Sequence, residues 1–229
     1  MIQAVIFDLD RTLLDRDASV EHFINHQYDR YKLSLESVSK EVFTSRFIEL
    51  DQGGYRPKDQ VYQQLMVELD LEKRLEEKLY KDYNDSFQRY CTPFQGLHEV
   101  LLQLRSSKLR LGMITNGYGR FQMDNIQALG IQPFFETILI SEWEGVKKPD
   151  PMIFKRAMER MNLRSDACVY VGDHLEKDVR AAEDIGMTAI WKKGRQDEKS
   201  FVRYSIYHLK ELPTLIKKLN KEERPCYLK

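Results

Sequence analysis

Hydrophobic positions follow two regimes along this chain. Ala4-Val5-Ile6-Phe7 is an unbroken apolar run, the pattern of a strand buried on both faces. From Leu14 to about Tyr90 strand signals almost vanish. That stretch is rich in Glu, Lys, Gln, Leu and Tyr, with helical spacing such as Val61, Leu65, Leu69. It predicts about four helices, interrupted by the breakers Gly53-Gly54-Tyr55-Arg56-Pro57. From about Pro93 the regime changes. Leu97, Val100, Leu101 and Leu104 make an amphipathic helix, Leu109–Thr115 a strand, and Phe121–Leu129 a helix stopped by Gly130. Thr137–Ser141 is a strand, and Asp150-Pro151 caps a helix with the apolar face Ile153, Phe154, Ala157, Met158, Met161. Cys168–Gly172 is a strand, Asp178–Ile185 a helix closed by Gly186, and Met187–Trp191 a strand. Such alternation predicts a mostly parallel sheet covered by helices, with a helical insertion between its first and second strands. The charged end from Lys217 to Lys229 reads as frayed.

Composition narrows the class. The 229 residues suffice for one large domain or a domain with an insertion, and 42% hydrophobic with 31% charged content suits a globular protein. Lys plus Arg equals Asp plus Glu, at 36 each, which argues against a nucleic-acid polymer as partner through bulk charge. No apolar run approaches the roughly 18 residues of a membrane span, and the N-terminus opens on a strand without secretory features. Cys91, Cys168 and Cys226 are far apart and odd in number, suggesting neither a disulfide framework nor a zinc site; Cys168 reads as a small core residue. A cytoplasmic monomer or small homodimer is the expectation.

Polar chemistry collects where strands end. In Asp8-Leu9-Asp10, residues two apart point the same way in an extended chain. Asp8 and Asp10 then share a site, one as nucleophile or metal ligand and the other as general acid/base. The second strand ends in Thr115-Asn116-Gly117, where a hydroxyl and turn N–H groups suit an anion. Gly172-Asp173-His174 and Asp178 add carboxylates, Asp178 equally suiting compensation of a helix start. Lys148, in Lys147-Lys148-Pro149-Asp150-Pro151, offers a cation to carboxylates or a phosphoryl oxygen, while Lys147 reads as solvated. Ligands bind beyond the carboxyl ends of strands in open α/β sheets, so three such ends describe one site.

Asp8-x-Asp10-x-Thr12, Thr115, Lys148-Pro149-Asp150-Pro151, and Gly172-Asp173 with Asp178 together resemble the four ordered motifs of the haloacid dehalogenase-like hydrolase superfamily. The resemblance spans almost the whole chain and is nearest to the phosphatase and pyrimidine-nucleotidase branch. It implies a Rossmann-like parallel-sheet core over residues 1–14 and 93–229, with a helical cap over 15–92. It implies that Asp8 attacks phosphorus, that Asp10 protonates the leaving alcohol and then activates water, and that Thr115 and the Asn116 amide hold the phosphoryl group. Lys148 would orient Asp8. Magnesium would be held by Asp8, the main-chain carbonyl of Asp10, and Asp173, with Asp178 as support or occasional ligand. Arg11 departs from the family, where glycine is commonest after the second aspartate. Asp10 itself argues against the dehalogenase branch, whose leaving halide needs no proton.

In this resemblance the cap selects the substrate. The loop from Gly53 to Lys58 is the candidate: Tyr55 offers stacking, while Arg56 and Lys58 offer charge to an anion, though an ordinary inter-helix turn is an equal reading. His22 and His26 read as a cap face, His174 as a site or helix-start residue, and Trp143 and Trp191 as packing residues. The expected function is magnesium-dependent phosphomonoester hydrolysis on a small phosphorylated metabolite. The alternatives are a pyrimidine 5′-nucleotidase, a phosphotransferase or phosphomutase, and a non-catalytic phosphate-binding protein.

Overall fold

The computed structural model describes residues 1–194 and 202–222. Its strands are β1 (Ala4–Phe7), β2 (Arg110–Thr115), β3 (Thr137–Ile140), β4 (Cys168–Gly172), β5 (Thr188–Lys192) and β6 (Ser205–Ile206). They form one sheet in the order β3-β2-β1-β4-β5-β6, every neighbouring pair parallel. β1 lies in the middle, and all four of its residues are buried, as its unbroken apolar run requires. Phe7 sits in register with Met113 on one side and Val171 on the other. The α/β expectation therefore holds.

The chain divides into two compact units, Met1–Asp15 with Pro93–Lys229, and Arg16–Thr92. The second unit contains α1 (Arg16–Arg30), α2 (Lys40–Asp51), α3 (Lys58–Glu68) and α4 (Arg74–Ser86). An aromatic cluster organises it: the Phe23 ring lies 5.1 Å from Tyr83 and 5.8 Å from Phe87. Buried Tyr62 donates its hydroxyl to Gln27 Oε1 at 2.7 Å. Asp51 is buried and binds both Arg16, at 2.8 Å, and Lys58. Those two cations hold its carboxyl below the usual range although burial pushes it up. His22 and His26 are exposed.

The sheet unit contains α5 (Leu97–Ser106), α6 (Gly119–Ala128), α7 (Ser141–Glu144), α8 (Pro151–Arg160), α9 (Ala181–Glu183) and α10 (Leu212–Glu222). The expected apolar faces of α5 and α8 are buried, and Asp150 caps α8 by accepting from the Met152 N–H at 2.8 Å. Ile6, Ile114, Leu139, Phe154, Tyr170 and Trp191 share one apolar cluster.

Several local expectations change. α6 begins two residues earlier than its hydrophobic spacing indicated. Ser141 opens α7 instead of closing β3. The helix expected from Asp178 begins at Leu175 and runs to Arg180 as π-type turns. The His174 side chain accepts from the N–H groups of Glu176 and Lys177, which starts the helix early. Trp143 is 55% exposed but packs its indole on Gly119, where a Cβ would stand 1.8 Å from Nε1, whereas Trp191 is buried. The segment from Lys217 is not frayed as far as Glu222. Leu212, Ile216 and Leu219 bury one face of α10, an i, i+4, i+7 pattern that its dense lysines conceal. Residues 223–229, with Cys226, lie outside the described residues. Cys168 is buried, as a small core residue would be. No helix among the described residues is long and apolar enough to cross a membrane.

Candidate active site

The chain leaves β1 for β2 and β3 on one side and returns for β4 to β6 on the other. The crevice beside β1 is thus a topological switch point, where open α/β sheets place ligands. Asp8 follows β1, Thr115 ends β2, and Gly172 ends β4 with Asp173 directly after it. Sheet order makes these three strand ends neighbours although they are far apart in sequence.

Lys148 ties the site together. Its ammonium donates to Asp8 Oδ1 at 2.6 Å, to Asp178 Oδ1 at 2.7 Å and to the Tyr170 hydroxyl at 2.9 Å. Lysine, both aspartates and tyrosine are all buried. The other Asp8 oxygen accepts from the Thr12 hydroxyl at 3.0 Å, so both carboxylate oxygens have fixed directions. Asn116 fixes the turn that carries Lys148. Its side-chain amide donates to the Lys148 carbonyl at 3.0 Å and accepts from the Lys148 N–H at 2.9 Å. Asp178 also accepts from the His174 N–H at 3.0 Å. Gly172 makes that approach possible. A Cβ there would lie 2.4 Å from Asp178 Cγ, so only glycine lets strand end and carboxylate meet.

Burial sets the electrostatics. Desolvation, reinforced by Asp178 and Asp10 and opposed by Lys148, pushes Asp8 up to about 7. Desolvation with the charges of Asp8 and Asp178 pushes Asp173 up to about 8. For Lys148, burial disfavours the ammonium, but Asp178 and Asp8 outweigh it and hold the group charged well above the usual lysine range. One buried cation faces more carboxylate charge than it balances.

Asp8, Asp173 and Asp178 each present an oxygen within 4.8 Å of the others. An all-carboxylate donor set suits a hard divalent cation, and the raised Asp8 and Asp173 mark a site short of positive charge. Asp178 already accepts at both oxygens. The Asp10 carboxylate stands outside this group. Its Oδ2 accepts from Gln122 Nε2 at 2.8 Å, and the same nitrogen lies 2.6 Å from Thr115 Oγ1.

Asp8, Asp10, Thr115, Asn116, Lys148, Asp173 and Asp178 thus converge at the strand ends. Gly117 joins them, but its N–H donates to Ser141 Oγ at 2.9 Å. Tyr55 and Arg56 lie on the loop between α2 and α3, in the other compact unit. His174 serves as a helix cap. Tyr170 and Gln122 are not foreseen by the motifs. Tyr170 hides within an apolar strand. Gln122 carried a signal, since it shares a helical face with Asn125, Ile126 and Leu129, all buried.

Residues 5–192 match a family model described as haloacid dehalogenase-like hydrolase. The chain is 32% identical to the glyceraldehyde 3-phosphate phosphatase of Pyrococcus furiosus, over 96% of this chain and 94% of that protein. It is 29% identical to the pyrimidine 5′-nucleotidase YjjG of Escherichia coli, over 61% of this chain and 63% of that protein. Among solved structures, a HAD phosphatase from Thermococcus onnurineus superposes with a TM-score of 0.67 at 26% identity, covering 94% of this chain and 98% of that one.

Proposed function

This chain belongs to the haloacid dehalogenase-like hydrolase family, and on that premise we propose that it hydrolyses small phosphomonoesters through an aspartyl-phosphate on Asp8. The observation that carries this reading is the setting of Asp8. It is buried, directed by Lys148 and Thr12, and followed two residues later by the acid/base candidate Asp10.

A carboxylate oxygen of Asp8 attacks phosphorus, and the bond from phosphorus to the ester oxygen breaks. Asp10, protonated, gives its proton to the departing alkoxide. Asp10, now ionised, takes a proton from water as the water oxygen attacks phosphorus. The bond to Asp8 then breaks, releasing inorganic phosphate and the free carboxylate. In this reading Thr115 and the Asn116 amide donate to the equatorial phosphoryl oxygens, and Lys148 neutralises charge beside the nucleophile. Asp8, Asp173 and the Asp10 carbonyl would hold magnesium, with Asp178 orienting Lys148 and supporting that group. Bound magnesium supplies positive charge to the phosphoryl oxygens in transfer. Within this reading residues 15–92 serve as the cap, with Tyr55 and Arg56 as substrate-selecting side chains.

The similarity to an archaeal glyceraldehyde 3-phosphate phosphatase favours a small sugar or triose phosphate as substrate. The test is phosphate release, with magnesium and with chelator, from glyceraldehyde 3-phosphate, hexose phosphates, phosphoglycolate, UMP and dUMP. Magnesium-dependent release concentrated on sugar phosphates supports the reading, whereas concentration on UMP and dUMP selects the nucleotidase alternative. Asp8→Asn is expected to abolish release from every ester, and turnover retained in that variant would remove Asp8 as nucleophile.

A further inference from the structure

We infer that Gln122 is a positioning residue that aligns the proton-transferring carboxylate of Asp10 with the hydroxyl of Thr115. The inference rests on the phosphomonoesterase reading above. Gln122 lies in the first turn of α6 and is 3% exposed. Its Nε2 is 2.8 Å from Asp10 Oδ2, 2.6 Å from Thr115 Oγ1 and 3.4 Å from the Asn116 carbonyl. A primary amide carries two N–H groups, so the two short contacts use both. The opposite end of the amide is held as well, because Oε1 faces Asn125 Nδ2 at 3.4 Å. Gly117 leaves room for this seat: a Cβ there would stand 2.8 Å from Gln122 Cγ.

This arrangement assigns work to particular atoms. Thr115 Oγ1 accepts from Gln122 and so keeps its own hydrogen to donate, which a phosphoryl oxygen requires. Asp10 Oδ2 is occupied by the amide, leaving Oδ1 to carry the transferred proton. Gln122 itself touches neither phosphorus nor leaving group. It acts through Asp10 and Thr115, joining residues 112 and 7 positions away in sequence.

A polar bridge that merely stabilised the fold would affect all substrates alike. One that aims a general acid affects substrates according to their leaving group. p-Nitrophenolate departs without a proton, whereas an alkoxide requires one. The experiment compares wild type with Gln122→Met and Gln122→Leu, which keep a helix-forming side chain of similar bulk but have no N–H. It measures kcat/KM, which reports steps up to phosphoenzyme formation, on p-nitrophenyl phosphate and on the alkyl ester of the panel that wild type turns over fastest. Thermal melting of each variant verifies folding, and two substitutions of different size guard against loss of one. The expected result is a drop on the order of 100-fold for the alkyl ester, the scale of general acid catalysis. The loss in kcat/KM for the aryl ester should be at least tenfold smaller. Equal losses on both esters, or none, would overturn the inference and leave the hydrolase reading standing. Wild type inactive on every ester would overturn both.

Discussion

Lys148 meets Asp8 at 2.6 Å and Asp178 at 2.7 Å with all three side chains withdrawn from water. Removing one partner of such a group leaves charge uncompensated in a poorly solvating interior, at a cost of about 3–5 kcal/mol. Lys148→Met keeps the length and removes the charge, so it is expected to lower unfolding stability by about that amount in urea titrations without divalent cation. Magnesium should narrow the deficit, because a cation among Asp8, Asp173 and Asp178 replaces part of the missing charge. Stability equal to wild type would show that the ammonium does not balance these carboxylates. Arg11, the departure from the family pattern, has φ 59°. Left-handed backbone favours glycine, and Arg11 holds it at a conformational cost.

At the scale of elements, most boundaries obey local chemistry, and the exceptions have identifiable causes. Helix α5 ends in a turn where the Lys108 N–H bonds to the Arg105 carbonyl at 2.8 Å and the Leu109 N–H to the Leu104 carbonyl at 3.2 Å. Exposed Lys108 holds φ 63° there. Left-handed backbone costs a non-glycine residue roughly 1–2 kcal/mol, part of which glycine's freedom in the unfolded chain takes back. Lys108→Gly is therefore expected to raise stability by about 0.5–1 kcal/mol, read as a higher urea midpoint with an unchanged slope. A lower midpoint would mean that the lysine side chain matters more than its backbone. The π-type turns of Leu175–Arg180 have a different origin. The N–H groups of Asp178 and Val179 both reach the His174 carbonyl while the Asp178 carboxylate turns back to the His174 N–H. Helix geometry yields here to the placement of one side chain, as π-turns near functional sites often do.

For the whole molecule, the shortage of positive charge becomes a pH dependence. Asp8 and Asp173 rise to about 7 and about 8 in the folded protein from 3.8. Above pH 5 the unfolded chain has released these protons, while the fold still holds them until pH passes 7 to 8. Native protein thus binds more protons than unfolded chain, and stability falls as pH rises through that range. His174 is lowered by its burial and by Lys177, which gives the opposite slope, but only below its ordinary value of 6.5. Metal-free protein is therefore expected to melt at a higher temperature at pH 6.5 than at pH 8.5. Magnesium should raise the melting temperature more at pH 8.5, where no proton competes for the carboxylates. A metal-free melting temperature that is flat or rising across this interval would contradict the charge balance described for the site.

Much of this was legible without coordinates. The apolar runs marked β1 through β5, the i, i+3, i+4 spacing marked α5 and α8, and four ordered motifs identified the family and the strand ends that carry Asp8, Thr115 and Asp173. These features are local: periodicity and short motifs record what a segment does within its own length. The lysine-rich surface of α10 hid its buried stripe, since charge on one face dilutes an amphipathic signal. Only the tertiary structure decided which distant groups meet. Lys148 reaches Asp8 across 140 residues and Gln122 reaches Asp10 across 112, because the order β2-β1-β4 brings those strand ends side by side. Tyr170 lies unremarked in an apolar run and Gln122 in a helical one until that order directs them to the site. A segment's own pattern states that a face is buried; the packing of the other segments determines what it is buried against, and here that assembles the charge, the hydroxyl and the amide around one nucleophile.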